Sequence, residues 1–107
     1  MDIFCKIIAG EIPSDKIAEG KDWIAINDIY PKAPIHFLII PKKHIGSVAD
    51  LEENDALLAG NLMLAVRKVA ELKKIAKSGY RVMISHGKHG GQEVAHLHIH
   101  VLGGKQL

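Results

Sequence analysis

Apolar residues recur at Ile3, Phe4, Ile7 and Ile8, with Gly10 and Pro13 beyond them. Spacings of three and four followed by stop signals predict a short helix at the amino terminus. The pattern then breaks into brief runs. "DKIAEG" and "WIAIND" flank Gly20 and the charged Lys21-Asp22 pair, which predicts a hairpin of two strands. "IYPKAP" reads as a loop, because each proline lacks an amide donor and pushes its predecessor toward extended geometry. "IHFLIIP" is continuously apolar around His36 and closed by Pro41, as expected of a buried central strand.

From about Asn54 to Lys77 the helical period returns, carried by Leu58, Leu62, Ala65, Val69, Leu72 and Ala76. One long amphipathic helix is expected there. Glu52, Glu53 and Asp55 near its start and Lys73, Lys74 and Lys77 near its end complement the helix dipole, with Gly79 as the stop. Met63, Val66 and Ala70 widen the apolar arc beyond one sheet contact, a surplus that a subunit interface can use. "YRVMIS" reads as a fourth strand, "HGKHGGQE" as a Gly-rich loop and "AHLHIHVLG" as a fifth strand. The fold class expected is α+β: a five-stranded antiparallel sheet with one long helix and a short N-terminal helix.

A chain of 107 residues, 48% apolar and 24% charged, is expected to form a single globular domain over residues 1–107. The net charge of +2 is spread over scattered lysines, and the aromatics are two Phe, two Tyr and one Trp. No dedicated nucleic-acid binding is expected from that balance. Cys5 is the single cysteine, so no internal disulfide can form, and a reducing compartment is implied. The start "MDIFCKIIAGEIP" lacks the basic end and apolar core of a secretion signal, and no run reaches membrane-spanning length; a cytoplasmic location is expected.

The carboxy-terminal "AHLHIHVLGG" raises the chemistry. On a strand, His96, His98 and His100 share one face while Leu97, Ile99 and Val101 share the other. Histidines can serve merely as polar residues of a half-exposed strand, but three in register suggest use. Alternate histidines can also bind zinc, yet three of them span about 14 Å at a rise of about 3.4 Å per residue, too far to close on one ion unaided. The remaining use is nucleophilic and acid/base work, with one neutral imidazole attacking phosphorus and its neighbours managing protons. "HGGQEV" just before the array offers an anion cradle, with Gly90 and Gly91 admitting close approach and Gln92 adding an amide donor.

"HLHIHVL" is the motif of the histidine triad (HIT) family, and the chain resembles its Hint branch, the purine nucleoside phosphoramidases. "IFCKII", "EIPSDKI", "AINDIYPKAPIHFLIIPKKHI", "GYRVMI" and "GGQEVAHLHIHVLGGKQ" stand in family order, so the resemblance covers nearly the whole chain. It implies the HIT-like fold, a homodimer whose two sheets join, and a purine nucleotide (AMP or GMP type) as ligand. It implies attack by His98 on the α-phosphorus of a nucleotide phosphoramidate or related adenylate. By the same resemblance a nucleotidyl-histidine would form and water would then release the nucleoside monophosphate. His100 would contact the phosphate and assist proton transfer; His96, with His36 behind it, would belong to the orienting network.

The resemblance further implies that Asp28 meets the ribose hydroxyls, that Ile26, Asn27 and Ile29 surround the base, and that Ile3, Phe4 and Ile7 complete its apolar pocket. From the residues alone Asp28 reads equally as a turn or cap residue before "IYP". Gln92 and the amides of Glu93 and Val94, after Gly91, would hold phosphate oxygens. Ser85 stands where the Hint pattern usually has Asn, and Glu93 where it often has Ser. The chain ends at Leu107, where some relatives continue, so leaving-group preference is expected to differ.

No cofactor is required by this chemistry. Many bacterial relatives open with "CxxC" and hold structural zinc with those sulfurs and two histidines; here the first position is Asp2. Cys5 is accordingly expected to pack as a small apolar residue, with an Asp2, Cys5, His44 and His96 zinc site as the alternative. Two other functions stay open beside the phosphoramidase: a nucleotide-binding module with little turnover, and a dinucleotide polyphosphate hydrolase.

Overall fold

The computed structural model describes residues 2–107. Helix α1 (Ile3–Ile8) is followed by β1 (Lys16–Glu19), β2 (Trp23–Asn27), β3 (Ile35–Pro41), helix α2 (Ala56–Leu72), β4 (Tyr80–Met83) and β5 (Ile99–Gly103). Two short 3₁₀ turns, Val48–Asp50 and Glu53–Asp55, lead into α2. The strands form one five-stranded sheet in the order β1-β2-β3-β5-β4, every neighbouring pair antiparallel. This is the α+β architecture the sequence predicts.

The sheet is covered on both faces, which is why β2 and β3 read as continuous apolar runs rather than alternating ones. On one face Ala25, Phe37, Ile39, Ile99 and Val101 pack with Leu62, Ala65, Val66 and Val69 of α2. On the other, Ile24, Ile26, Leu38 and Ile40 pack with Phe4, and Ile7, Ile8 and Val94 border them. Each fully buried aliphatic or aromatic side chain contributes about 1.5–3 kcal/mol through removal of apolar surface from water. Among the described residues no helix is long and apolar enough to cross a membrane.

Helix α2 is shorter than its periodicity predicts, beginning at Ala56 and ending at Leu72 rather than running from Asn54 to Lys77. Its end is a Schellman motif: Ile75 N–H donates to Ala70 C=O at 3.1 Å and Lys74 N–H to Glu71 C=O at 3.1 Å. Lys74 holds the left-handed conformation such a motif needs, at φ 62°, and Ile75 then drops into the core. The lysines therefore lie past the last turn, and Leu72, expected inside, is 55% exposed. Val66 and Ala70 are consumed by the chain's own core. The surplus apolar surface is instead Leu57, Met63 and Leu64, all exposed.

Strand β4 stops at Met83, short of the expected Ser85, and β5 begins only at Ile99. The register Ile39 to Ile99 places Pro41 opposite Leu97. Pro41 has no N–H, so the ladder cannot continue there. Leu97 N–H bonds to Ile45 C=O instead, at 2.6 Å.

Candidate active site

The facial alternation of the histidines survives this early release from the ladder. Leu97, Ile99 and Val101 enter the α2-side core. The imidazoles take the α1 side, where the Phe4 ring lies 5.9 Å from that of His96 and 5.0 Å from that of His98, and His98 lies 4.9 Å from His100. His96 and His98 are buried and His100 is half-buried.

Hydrogen-bond partners assign the ring protons. His98 Nδ1 lies 2.7 Å from the carbonyl oxygen of His96, an acceptor, so Nδ1 carries the proton and Nε2 keeps its lone pair. A second chain starts at the backbone. Lys32 N–H donates to Nδ1 of His36 at 3.1 Å, which leaves the His36 proton on Nε2. That atom lies 3.0 Å from Nδ1 of His100 and 3.4 Å from Oδ2 of Asp28. His100 therefore accepts at Nδ1 and carries its own proton on Nε2. A nucleophilic nitrogen and a neutral N–H donor thus stand on neighbouring rings.

Burial pushes the His100 ring down to about 4, with the adjacent His98 and His36 acting in the same sense. Burial lowers His36 too, against the pull of the Asp28 carboxylate. Both rings are neutral at pH 7, which the hydrogen-bond chain requires.

Ile26, Phe4, Ile7 and Val94 converge in the α1-side apolar group, whereas Ile3 is exposed. Asp28 Oδ1 accepts from Tyr30 N–H at 2.8 Å, a local turn bond, while Oδ2 faces His36. Asn27 is tied to Asp15 through its side-chain amide at 3.0 Å, and Ile29 is 75% exposed. Ser85 lies just past the end of β4, half-buried. Glu93 is exposed.

The Gly-rich loop is braced by Gln92. Gln92 Nε2 donates to Gly46 C=O at 2.7 Å and Val94 C=O at 2.9 Å, and Oε1 accepts from Gly87 N–H at 3.1 Å. Its side-chain donors are committed to the Gly46 and Val94 carbonyls rather than free for an anion. Gly91 sits at φ 78°, and at Gly90 a Cβ would lie 2.2 Å from His86 O, so both positions require glycine. The N–H groups of Glu93 and Val94 have no protein acceptor among the described residues.

His96 turns away from its two neighbours in the motif. Its Nε2 lies 3.0 Å from Pro41 C=O and carries the proton, so the Nδ1 lone pair is presented to Asp2, Cys5 and His44. The six distances among Asp2 Oδ2, Cys5 Sγ, His44 Nδ1 and His96 Nδ1 run from 3.1 to 3.5 Å. A regular tetrahedron with such edges has its centre about 2.0 Å from each corner, the bond length of zinc to nitrogen or oxygen. Cys5 does not pack as an apolar residue, as its sequence context suggests; its thiol is half-buried among polar groups. Burial and the Asp2 carboxylate push that thiol up, and a divalent cation at the centre would reverse this. The four donors fit such an ion.

What the sequence does not reveal here is the part played by backbone groups. Lys32 N–H and the carbonyls of Pro41 and His96 set the tautomers of His36, His96 and His98. Main-chain donors and acceptors leave no compositional signal.

The HIT domain family model matches residues 9–107. An uncharacterized HIT-like protein of Buchnera aphidicola is 46% identical over 106 residues, covering 99% of this chain and 95% of the relative. A HIT family hydrolase from Legionella pneumophila superposes with a TM-score of 0.95 at 44% identity, over 97% of this chain and 93% of that one. A histidine triad nucleotide-binding protein from Candida albicans gives 0.86 at 34% identity, over 94% of this chain and 73% of that one. Sequence and fold agree along nearly the full length: the chain belongs to the HIT family.

Proposed function

We propose that this protein hydrolyses purine nucleoside phosphoramidates or related adenylates at the α-phosphorus, through a covalent nucleotidyl-His98 intermediate. The observation that carries the reading is the free Nε2 lone pair of buried His98 beside the protonated Nε2 of His100. Its likeness to a HIT family hydrolase and to a histidine triad nucleotide-binding protein supports it.

His98 Nε2 forms a bond to phosphorus as the bond from phosphorus to the leaving amine breaks. His100 Nε2–H donates toward a phosphate oxygen or the departing group, and His36 keeps that proton on the outward nitrogen. Water then attacks phosphorus, the proton it releases replacing the one that left on the amine nitrogen, the bond to Nε2 breaks, and nucleoside monophosphate leaves with the imidazoles restored. The Glu93 and Val94 N–H groups supply donors for the phosphate oxygens. Phe4, Ile7 and Ile26 offer the base an apolar wall, and Asp28 Oδ2 is an acceptor for a ribose hydroxyl.

Incubation with an adenosine phosphoramidate tests this directly. AMP should appear with wild type, and His98→Ala should lose about 10³-fold or more of kcat. Equal rates for the two proteins would discard the mechanism. Tight AMP binding by wild type with background turnover would instead favour a binding module.

Two assembly features belong to the same reading. Exposed Leu57, Met63 and Leu64 on α2, and Val82 and Met83 on the open edge strand β4, support a homodimer; sedimentation at micromolar concentration checks it. The near-regular tetrahedron of Asp2, Cys5, His44 and His96 supports a structural zinc ion, which elemental analysis of the purified protein checks. Neither requires the metal to take part in chemistry at phosphorus.

A further inference from the structure

We propose that zinc at the Asp2, Cys5, His44 and His96 site governs the order of α1, and so the affinity of the neighbouring nucleotide pocket. The inference rests on the zinc site proposed above. Two of the four donors belong to α1 or its cap, and two to the segments that leave β3 and enter β5. A bound ion would therefore clamp this helix to the body of the protein.

Helix α1 needs such a clamp. It has six residues, too few to hold a helical conformation unaided. Its side-chain cap is Asp2, whose Oδ1 accepts the Cys5 N–H at 2.8 Å. The other oxygen of the same carboxylate, Oδ2, is a corner of the tetrahedron, 3.2 Å from His96 Nδ1. One side chain thus caps the helix and faces the ion. The carboxylate divides the two tasks between its two oxygens.

The consequence reaches the imidazole array through Phe4, which lies between the two α1 donors in sequence. Its ring packs on both His96 and His98, and Ile7 and Ile8 border the same apolar group. Loosening α1 unseats this wall while leaving the sheet and α2 intact. His44 is 54% exposed at its side chain, so the ion has a route in and out without global unfolding. Occupancy is then a reversible control on the pocket.

Hydrogen exchange of the α1 amides, with and without stoichiometric zinc, reads the coupling; the β3 and β5 amides serve as internal reference for an intact fold. In wild type, zinc should slow exchange at Cys5 through Ala9 about tenfold or more and tighten AMP binding by a similar factor. Asp2→Asn keeps an oxygen to cap Cys5 and loses the anionic ligand. Its zinc affinity should fall at least about tenfold, while its zinc-free α1 exchange matches zinc-free wild type.

If zinc binds one to one and neither α1 exchange nor AMP affinity responds, the coupling is refuted and the metal site stands. Absence of stoichiometric zinc binding overturns the site and the coupling together. Undiminished zinc affinity in Asp2→Asn removes Asp2 from the ligand set and defeats the proposal.

Discussion

His36 Nε2 and His100 Nδ1 lie 3.0 Å apart, and the proton between them belongs to His36 because Lys32 N–H already occupies its other ring nitrogen. The direction of that bond fixes which nitrogen of His100 faces outward with a proton. His36 is a positioning residue in this scheme. His36→Ala should lower kcat about 100-fold with little change in KM, and His36→Gln, which restores an N–H near the same place, should recover part of the loss. Steady-state kinetics of the two variants distinguish this from simple destabilisation, which would not favour Gln.

The pH dependence of stability follows from the same pair. His100 titrates at about 4 in the fold against an ordinary value of 6.5, chiefly because it is buried. Below 6.5 the unfolded chain takes up a proton that the native state refuses, so stability falls as pH drops from 6.5 toward 4; His36 acts in the same direction. Urea midpoints at pH 7.5 and 5 should show the decline. NMR titration should find the His100 ring neutral throughout that interval.

Lys74 places a side chain where the end of α2 calls for glycine, at φ 62°. Lys74→Gly should stabilise the protein by about 1 kcal/mol, since the left-handed conformation penalises a Cβ. Chemical denaturation at neutral pH measures it, and activity should be unchanged.

Gln92 holds the Gly-rich loop to Gly46 and Val94 with both protons of one amide. Gln92→Glu keeps the acceptor for Gly87 N–H but turns two hydrogen bonds into contacts between oxygens. A loss of about 1–3 kcal/mol is expected on unfolding, with weaker nucleotide binding as the loop loosens. A denaturation curve and an AMP titration check the two effects.

Much of this was legible in the sequence because it rests on local periodicity. The alternation of "HLHIHVL" separated imidazoles from core residues, and the runs around β2 and β3 marked buried strands. The end of α2 was hidden, because Ala76 keeps the helical spacing while the break depends on an unusual conformation at a lysine. The Asp2 site was hidden for a different reason: residues 2, 5, 44 and 96 meet only after the chain closes over the sheet. Its donors could be named from the sequence, but the near-equal distances between them could not.

Pro41 shows how one missing hydrogen can diversify a repeated motif. Had the ladder run on past Ile99, His96, His98 and His100 would form a row with equivalent surroundings. Released from the sheet, the segment bends: His96 Nε2 takes the Pro41 carbonyl, His98 bonds back to the His96 carbonyl, and His100 stays in the strand facing His36. Three identical side chains thereby acquire three different sets of partners, with His98 protonated on Nδ1 and the other two on Nε2, and the division of labour among them is written by a residue with no reactive group.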